Sequence, residues 1–373
     1  MTTTKRFLAL DVFRGLTVCL MIIVNTPGNG ASTFSPLLHA HWNGFTPTDL
    51  VFPSFLFAVG NALSFVIVKW HSLPQSLVLW KIFKRTSIIF SLGYLMYWFP
   101  FVKWAGDDLV GSPFSSTRVF GVLQRIALCY GLAALMVYYL KPKLVFWLSV
   151  SFLVLYWVLL YLLGDPSSPL SLEGNAVLRV DRWLIGDQHL YHGEGVAFDP
   201  EGLLSTLPSI VNVVGGFIAG KYIQRKGNSY EGLAVLLLSG AVLLFLGYCW
   251  DLVFPINKKL WTSSFVLYTV GLDCIILGAI LYITQFRNKT GWTYFFEVFG
   301  RNPLFIYLLS EVAAILMYFI RVDDETSVFN WVYQNFFSFA GPYFGSLLFA
   351  LVFMLLCWLV GYALDKRKVY VKV

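Results

Sequence analysis

Long apolar runs alternate with shorter polar segments along the chain, and each run is about as long as a bilayer is thick. A transmembrane helix needs about 20 predominantly apolar residues. Ten runs meet this requirement, at about 8–26, 48–69, 83–101, 119–140, 143–163, 204–223, 231–250, 260–284, 295–319 and 342–364. The two-residue alternation of a membrane barrel is absent from the sequence. The pattern predicts an all-α polytopic membrane protein with about ten transmembrane helices around a polar pore.

Composition and charge agree with this prediction. Hydrophobic residues make up 58% of the 373 residues and charged residues 13%, whereas soluble domains carry about a quarter charged residues. Lys and Arg cluster before the first run, after the last run and in alternate loops, so the positive-inside rule places both termini in the cytoplasm. The two long loops, about 27–47 and 164–203, then lie outside. Because the net charge of +7 comes from the inner loops, the expected partner is the lipid bilayer and not a nucleic acid.

The sequence predicts one transmembrane domain over residues 1–373 and no metal site. Its five cysteines fall inside the predicted spans, without the close spacing of metal ligands. Motifs for phosphate loops, dinucleotide binding, zinc hydrolases and serine hydrolases (G-x-x-x-x-G-K-[ST], G-x-G-x-x-G, H-E-x-x-H and G-x-S-x-G) are absent from the sequence. Any chemistry must therefore come from polar side chains set among the helices.

The segment LHAHWNGFTPTDLVFP (38–53), which leads into the second run, concentrates polar and titratable residues. Thr46 and Asp49 have the spacing of a helix capping box, so capping is the simplest role for Asp49. His39 and His41 point to opposite sides of an extended loop and make a poor metal pair. A loop histidine is more often solvated than catalytic, so the chemistry of this segment alone does not decide its function.

Nine short blocks, in sequence order, carry a resemblance to a known family. They are DVFRG (11–15), VN (24–25), HAHWNGFTPTDLVFP (39–53), GVLQRIALCY (121–130), GDQHLY (186–191), FDPEGLLSTLPSI (198–210), GKYI (220–223), NKKLWTSSF (257–265) and GRNPLFIYLLSE (300–311). Together they resemble the heparan-α-glucosaminide N-acetyltransferases. The resemblance implies an enzyme that passes the acetyl group of cytosolic acetyl-CoA across a membrane to the amine of a terminal glucosamine. The chain is similar to a compact bacterial member without the N-terminal luminal portion of the lysosomal enzyme, which implies a place in the bacterial cytoplasmic membrane.

The resemblance also suggests catalytic residues. The family's active histidine lies in an H-A-x-W-[HN]-G block and falls on His39, and its asparagine at the outer end of the first span falls on Asn25. Acetyl transfer to an amine needs a proton acceptor and hydrogen-bond donors for the tetrahedral oxyanion. His39 can be the base or can carry the acetyl group itself. Asn25 can donate to the thioester oxygen, and Asp49 can orient the imidazole.

Acetyl-CoA is strongly anionic, so basic groups and helix N-termini on the inner side are candidates for binding it. The candidates are Arg6, Arg14, Arg125, Arg301 and Asn302. Ordinary membrane anchoring explains Arg6 equally well, and an ion pair with Asp11 explains Arg14.

Three ionisable residues within the predicted spans mark the predicted pore. Arg125 lies inside the fourth span, where an arginine is costly unless it faces a polar cavity or a partner. The same argument applies to Asp273 and Glu311. Whether each residue touches a ligand or only pairs with another side chain is open from the sequence.

Candidates for the acceptor site come from the outer blocks and are Trp42, Asn43, His189, Asp199, Glu201 and Asn257. Asp199 and Glu201 can hold a protonated amino sugar, although D-P-E is also an ordinary helix start. Two other functions remain open. An O-acyltransferase for an envelope polysaccharide would use a similar site, and a secondary transporter for an amino sugar also needs helices with buried charges. The sequence leaves open whether the chain forms a homodimer.

Overall fold

The computed structural model describes residues 7–227 and 229–371 and is mainly helical. Its α-helices are α1 (Leu8–Asn25), α2 (Pro47–Trp70), α3 (Gln75–Trp98), α4 (Val122–Tyr139), α5 (Pro142–Leu163), α6 (Ala176–Ile185), α7 (Thr206–Lys226), α8 (Tyr230–Asp251), α9 (Ser263–Leu281), α10 (Thr293–Arg301), α11 (Pro303–Phe319), α12 (Val328–Phe336) and α13 (Pro342–Lys366). Two antiparallel strands, β1 (Val102–Ala105) and β2 (Asp108–Gly111), form a hairpin between α3 and α4. The predicted helical architecture is confirmed, with this hairpin as an addition.

Seven helices of the described residues are long and apolar enough to cross a membrane. They are α1, α2, α4, α5, α8, α9 with its continuation to Phe286, and α13. The pair α10–α11 adds an eighth if it forms one bent span. α3 and α7 coincide with two further predicted runs but carry more polar residues, among them Lys81, Lys84 and Arg85 in α3. The structure therefore supports a multi-pass membrane protein with seven or eight spans, while ten spans, the pore and the position of the termini stay predictions.

The predicted ninth span, 295–319, is broken in the structure. α10 ends at Arg301 and α11 begins at Pro303, with 82° between the two helices. Asn302, between them, has φ −130° and ψ 48°, which is not helical. A residue before proline is disfavoured in the α conformation, and an average over a long apolar run does not detect that local effect. The prediction of one unbroken ninth helix is therefore wrong.

Close helix contacts hold the helices that carry the site. A Cβ atom added at Gly60 of α2 would lie 1.8 Å from the carbonyl oxygen of Val213 in α7, and one at Gly216 would lie 1.9 Å from that of Phe57. Small residues that let backbones approach closely are typical of membrane helix interfaces. α7 therefore fixes the position of α2, whose first turn contributes to the site described below.

The loop predicted at 164–203 contains a helix of its own, α6. The side chain of Asn175 caps this helix by accepting a hydrogen bond from Leu178 N at 2.9 Å. Val177 and Leu178 are buried and pack in one cluster with Phe198. The apolar face of α6 thereby holds the following loop, which includes Asp199, against the helix bundle.

Candidate active site

A cavity of about 620 Å³ opens where several helices end. Its wall comprises the end of α1, the start of α2, the end of α3, the start of α4, the middle of α11 and the loops between helices. The lining residues are Asn25, His39, Ala40, Asp49, Met96, Tyr97, Phe99, Arg118, Val122, Tyr191, Glu194, Pro200, Glu201, Lys258, Lys259, Tyr307, Glu311 and Ile315. We call it the His39 cavity. Its volume is typical of small-molecule sites.

The three residues predicted to be catalytic, Asn25, His39 and Asp49, all line the His39 cavity. His39 Nδ1 lies 2.7 Å from Asp49 Oδ1, an arrangement that makes this ring nitrogen the hydrogen-bond donor. The other oxygen of the buried Asp49 accepts hydrogen bonds from the N–H groups of Ala40 (3.1 Å) and Thr46 (2.9 Å). Asp49 therefore caps α2, as its spacing predicts, and holds the imidazole at the same time.

Lys258 also contacts His39, although it was not a candidate from the sequence. Its Nζ lies 3.0 Å from both ring nitrogens of His39 and 4.0 Å from Asp49 Oδ1. Burial lowers the pKa of Lys258, and the Asp49 carboxylate opposes that shift. The sequence signal for Lys258 is its position in the NKKLWTSSF block, next to the candidate Asn257.

A second pair of polar side chains faces the same cavity. Asn25, the last residue of α1, donates from Nδ2 to Glu311 Oε1 at 3.0 Å. The two residues are 286 positions apart in the chain. Of the three residues predicted to mark the pore, Glu311 lines the cavity, whereas Arg125 and Asp273 are fully buried and are not among its lining residues.

Arg118 binds both carboxylates that are predicted to contact the acceptor sugar. It contacts Asp199 through two hydrogen bonds (2.9 and 2.7 Å) and Glu201 through one (2.6 Å). The Tyr97 and Tyr191 rings lie 4.8 and 4.7 Å from its guanidinium carbon. Burial raises the pKa of Asp199; burial also opposes ionisation of Glu201, but the neighbouring Arg118 holds the pKa of Glu201 below its usual range. Glu201 lines the cavity, whereas Asp199 lies behind it and supports Arg118.

The other four residues predicted for the acceptor site lie outside the cavity lining and make structural contacts. The Trp42 indole donates to a backbone carbonyl in the loop before α6 at 2.9 Å. Asn257 donates to Asn43 at 3.1 Å. His189 Nδ1 lies 2.8 Å from a backbone carbonyl before α4. These contacts hold together the loops around the site, and a direct role of the four residues in acceptor binding stays a prediction.

Arg125 is fully buried in α4 and holds the loop before α7. It donates to the Gly202 carbonyl at 3.0 Å and to the Ser205 hydroxyl, and its guanidinium carbon lies 4.9 Å from the centre of the Trp261 ring. It lines none of the described cavities near His39 or Arg14. Both hydrogen bonds come from Nη2, and Nε and Nη1 have no partner among the described residues. The role of Arg125 in donor binding stays a prediction.

The candidates at the α10–α11 corner are bound within the protein. Arg301 pairs with Glu297 and with Asp365 of α13, at 2.7 Å in each case. Asn302 donates to Val369 O and accepts from the N–H of Val371. The corner therefore holds the end of α13 and the residues after it. The remaining candidate of this group, Arg6, lies outside the described residues.

Arg14 belongs to a second cavity at the opposite ends of α1 and α2. This Arg14 cavity measures about 270 Å³, and its lining residues are Phe7, Leu10, Asp11, Phe13, Arg14, Ala58, Asn61, Ala62, Phe65, Val66 and Lys69. Arg14 forms an ion pair with Asp11, as the spacing predicts. Both amide atoms of the buried Asn61 lack a hydrogen-bond partner among the described residues. The Arg14 cavity thus combines two basic side chains with an unsatisfied amide.

A smaller cavity of about 70 Å³ lies between the two others. It shares Arg14 with the Arg14 cavity and also contacts Leu304 of α11. Tyr307, which lines the His39 cavity, is one helical turn further along α11. The Arg14 cavity, the smaller cavity and the His39 cavity therefore follow one another along the helices. About one helical turn of packed side chains separates the smaller cavity from the His39 cavity.

Comparisons with known proteins agree with these features. Residues 6–173 match the sequence model of the family described as heparan-alpha-glucosaminide N-acetyltransferase, catalytic. The matched part includes Asn25, His39 and Asp49, and it excludes Lys258 and Glu311.

Two proteins named heparan-alpha-glucosaminide N-acetyltransferase are similar to the chain over most of its length. The protein from Mus musculus is 27% identical over 438 aligned residues, which cover 100% of the chain and 61% of the relative. The protein from Homo sapiens is 28% identical over 364 residues, which cover 82% of the chain and 53% of the relative. The chain thus spans less than two thirds of the length of these relatives. The matches confirm the resemblance predicted from the nine sequence blocks, and the class of protein to which the chain is similar is that of the acyltransferases.

Proposed function

We propose that the protein is a transmembrane N-acetyltransferase, which moves the acetyl group of cytosolic acetyl-CoA to the amine of a glucosamine-type sugar on the outer side. The observation that carries the proposal is the His39 cavity, in which His39, Asp49 and Lys258 meet the Asn25–Glu311 pair. The names of the relatives support the same reaction. On this proposal the termini are cytoplasmic and the protein resides in a bacterial cytoplasmic membrane.

His39 is the proton acceptor in the proposed mechanism. Asp49 accepts the hydrogen of His39 Nδ1, so the lone pair of Nε2, which now lies 3.0 Å from Lys258 Nζ, takes the amine's proton when the amine replaces Lys258 at this nitrogen. The backbone N–H groups that bind the second oxygen of Asp49 hold its carboxylate in place. The arrangement provides a base that is held in one orientation.

Asn25 supplies a donor for the tetrahedral intermediate. Its side-chain nitrogen has two hydrogens, and one of them is bound to Glu311. The second hydrogen can be directed at the thioester oxygen, which becomes an oxyanion when the amine attacks. A donor held in place before the reaction stabilises such an oxyanion by about 2.7–4 kcal/mol in comparable enzymes.

The Arg14 cavity is the proposed entrance for the donor. Arg14 and Lys69 provide positive charge near the inner ends of α1 and α2, where the anionic nucleotide arrives. From Arg14 to Asn25, α1 rises about 17 Å at 1.5 Å per residue. The acetyl end of the extended donor must cover this distance to reach the His39 cavity. The line of three cavities supports such a path.

Direct assay of the reaction tests the proposal. The purified protein in nanodiscs, labelled acetyl-CoA and a panel of amino sugars should give an acetylated sugar that resists hydroxylamine, as amides do and esters do not. His39→Ala should abolish the transfer, because the base is lost. His41→Ala should retain it, since His41 is an exposed neighbour outside the cavity. Hydroxylamine-labile products would instead indicate an O-acyltransferase.

A transporter for amino sugars is the second candidate, because cavities in line along helices are also expected for a transport path. Proteoliposomes distinguish the two functions. Uptake of labelled glucosamine without acetyl-CoA, with the sugar recovered unchanged, would favour transport. Absence of uptake together with acetylation would favour the transferase.

A further inference from the structure

The carboxylates that line the His39 cavity differ in their partners. Three of the four lie within ion-pair distance of a basic side chain. These pairs are Asp49 with His39 and Lys258, Glu194 with Lys259, and Glu201 with Arg118. Glu311 is the fourth, and among the described residues no basic side chain lies within 4.0 Å of it. Its observed hydrogen bond is with the neutral amide of Asn25.

An unpaired carboxylate at this position is costly. Glu311 lies in the middle of α11, one of the apolar helices, where an ionised side chain is rare unless it has a partner or faces a water-filled cavity. Glu311 faces the His39 cavity, and Asn25 occupies only one of its two oxygens. A cation that enters the cavity would give this carboxylate the charged partner that the other three carboxylates have.

We propose that Glu311 binds the primary ammonium group of the acceptor sugar. The inference rests on the proposed function for the identity of the acceptor, but the charge of the site follows from the cavity itself. At the His39 end, the ammonium of Lys258 repels a second ammonium. Around Glu311, no basic side chain of the described residues lies within 4.0 Å of the carboxylate. The ammonium is thus directed to one end of the cavity.

The face of α11 around Glu311 suits an amino sugar. Tyr307, Glu311 and Ile315 are spaced by four residues and all line the cavity, as residues on one face of a helix do. An aromatic ring beside a carboxylate favours a cation. Glu311 Oε1 accepts the hydrogen bond from Asn25. An amine bound to the other oxygen of Glu311 therefore lies next to the proposed oxyanion donor.

Glu311 also accepts one of the two protons that the ammonium must lose in the reaction. The ammonium first transfers one proton to the Glu311 carboxylate, which leaves a neutral amine with a free lone pair. The amine attacks the thioester carbon, the C–N bond forms and the C–S bond breaks. The second nitrogen proton passes through His39 to the CoA sulfur, which leaves as a thiol. The neutral amide product has no charge for Glu311, which returns its proton to water.

Binding without a donor tests the site independently of the reaction. Wild-type protein in nanodiscs should bind glucosamine more tightly than glucose or N-acetylglucosamine in calorimetry, because only glucosamine carries an ammonium. Glu311→Gln should remove this preference, and Glu325→Gln, a change at an exposed loop residue, should keep it. Equal binding of the three sugars by the wild type would overturn the inference, whatever the variants do.

Kinetics provide the second measurement. Glu311→Gln should raise KM for glucosamine about tenfold to a hundredfold, the usual loss for a charged hydrogen bond, while its affinity for acetyl-CoA stays the same. Glu311→Asp keeps the charge, so its KM for glucosamine should lie between the KM values of the wild type and of Glu311→Gln. This variant serves as the test if Glu311→Gln impairs folding. An unchanged KM in a folded Glu311→Gln variant would overturn the ammonium site and leave the transferase standing. If the protein binds the sugars charge-selectively but transfers no acetyl group, the ammonium site stands and the transferase proposal is overturned.

Discussion

The site combines residues that differ in how far the sequence reveals them. His39 and Asp49 lie ten positions apart, so one loop and one helix start bring them together. Lys258 reaches the same imidazole from 219 positions away, and Arg118 reaches Asp199 from 81. Such contacts depend on how the helices pack, which a local pattern does not specify. The sequence therefore predicted the central pair and missed the basic residues beside it.

The contact between Lys258 and His39 predicts a loss of activity. Lys258→Met removes an amine that lies 3.0 Å from both ring nitrogens of His39, so the imidazole loses one of the contacts that orient it. We expect a lower kcat for acetyl transfer and an unchanged affinity for acetyl-CoA. Lys103→Met, at an exposed position of β1, is the control. An unchanged kcat would exclude a role for Lys258 in positioning His39.

Asp181 predicts a pH dependence of stability. It is buried in α6, where one oxygen accepts from Leu203 N at 3.0 Å and the other has no partner among the described residues. Burial raises its pKa to about 7. The folded state therefore binds a proton more tightly than the unfolded state, so stability is greatest at low pH and falls as the pH rises from about 4 to about 7.

Asp181→Asn should remove this loss of stability. The amide cannot ionise, so the variant should gain about 1–4 kcal/mol over the wild type at about pH 8 and little at about pH 5. Thermal unfolding in nanodiscs at the two pH values measures the difference. If the stability of the two proteins changes with pH in the same way, Asp181 is not the group that causes the loss of stability.

At the scale of elements, the apolar runs predict the positions of the long helices but not a break within a run or the short elements between runs. The second and fifth runs agree with α2 and α5 to within one residue at each end. The break at Asn302 and the hairpin of β1 and β2 were missed. Both features depend on a few residues, and the average hydrophobicity of a long segment does not reveal them. α6 was missed because only one of its faces is apolar, within a loop that is polar on average.

The contact between α2 and α7 predicts a large effect from a small substitution. In Gly60→Ala the new methyl group would lie 1.8 Å from the Val213 carbonyl, so the helices must move apart. Overpacking of this kind costs about 1–3 kcal/mol. The shift of α2 should also displace Asp49 and reduce acetyl transfer. Gly291→Ala, where no atom lies within 4 Å of the added carbon, should leave melting temperature and activity unchanged.

At the scale of the whole molecule, the charge pattern predicts the orientation in the membrane. Single cysteines at Ser35 and Gln188, both exposed, should react with an impermeant maleimide in intact cells. A cysteine at Ser72, between α2 and α3, should react only after permeabilisation. The exposed native Cys249 must first be replaced by serine. The reverse labelling pattern would invert the topology and place the His39 cavity on the inner side.

The order of steps is the last property that the architecture predicts. The proposed donor path along α1 ends at the cavity that holds the Asn25–Glu311 pair, so on this proposal donor and acceptor can be present together. The side chain of His39 is 46% exposed, and an acyl-imidazole in contact with water hydrolyses readily. We therefore expect direct transfer, in which His39 takes the proton of the amine and not the acetyl group.

Incubation with labelled acetyl-CoA in the absence of an acceptor separates the two mechanisms. Direct transfer predicts that peptide mass mapping finds no stoichiometric acetyl group on His39, and that CoA is released only after glucosamine is added. The His39→Ala variant provides the background for nonspecific labelling of lysines such as Lys258. An acetyl group on His39 that moves to added glucosamine would require a covalent intermediate instead. In that case CoA could leave before the sugar binds, and the two substrates would never need to occupy the cavity at the same time.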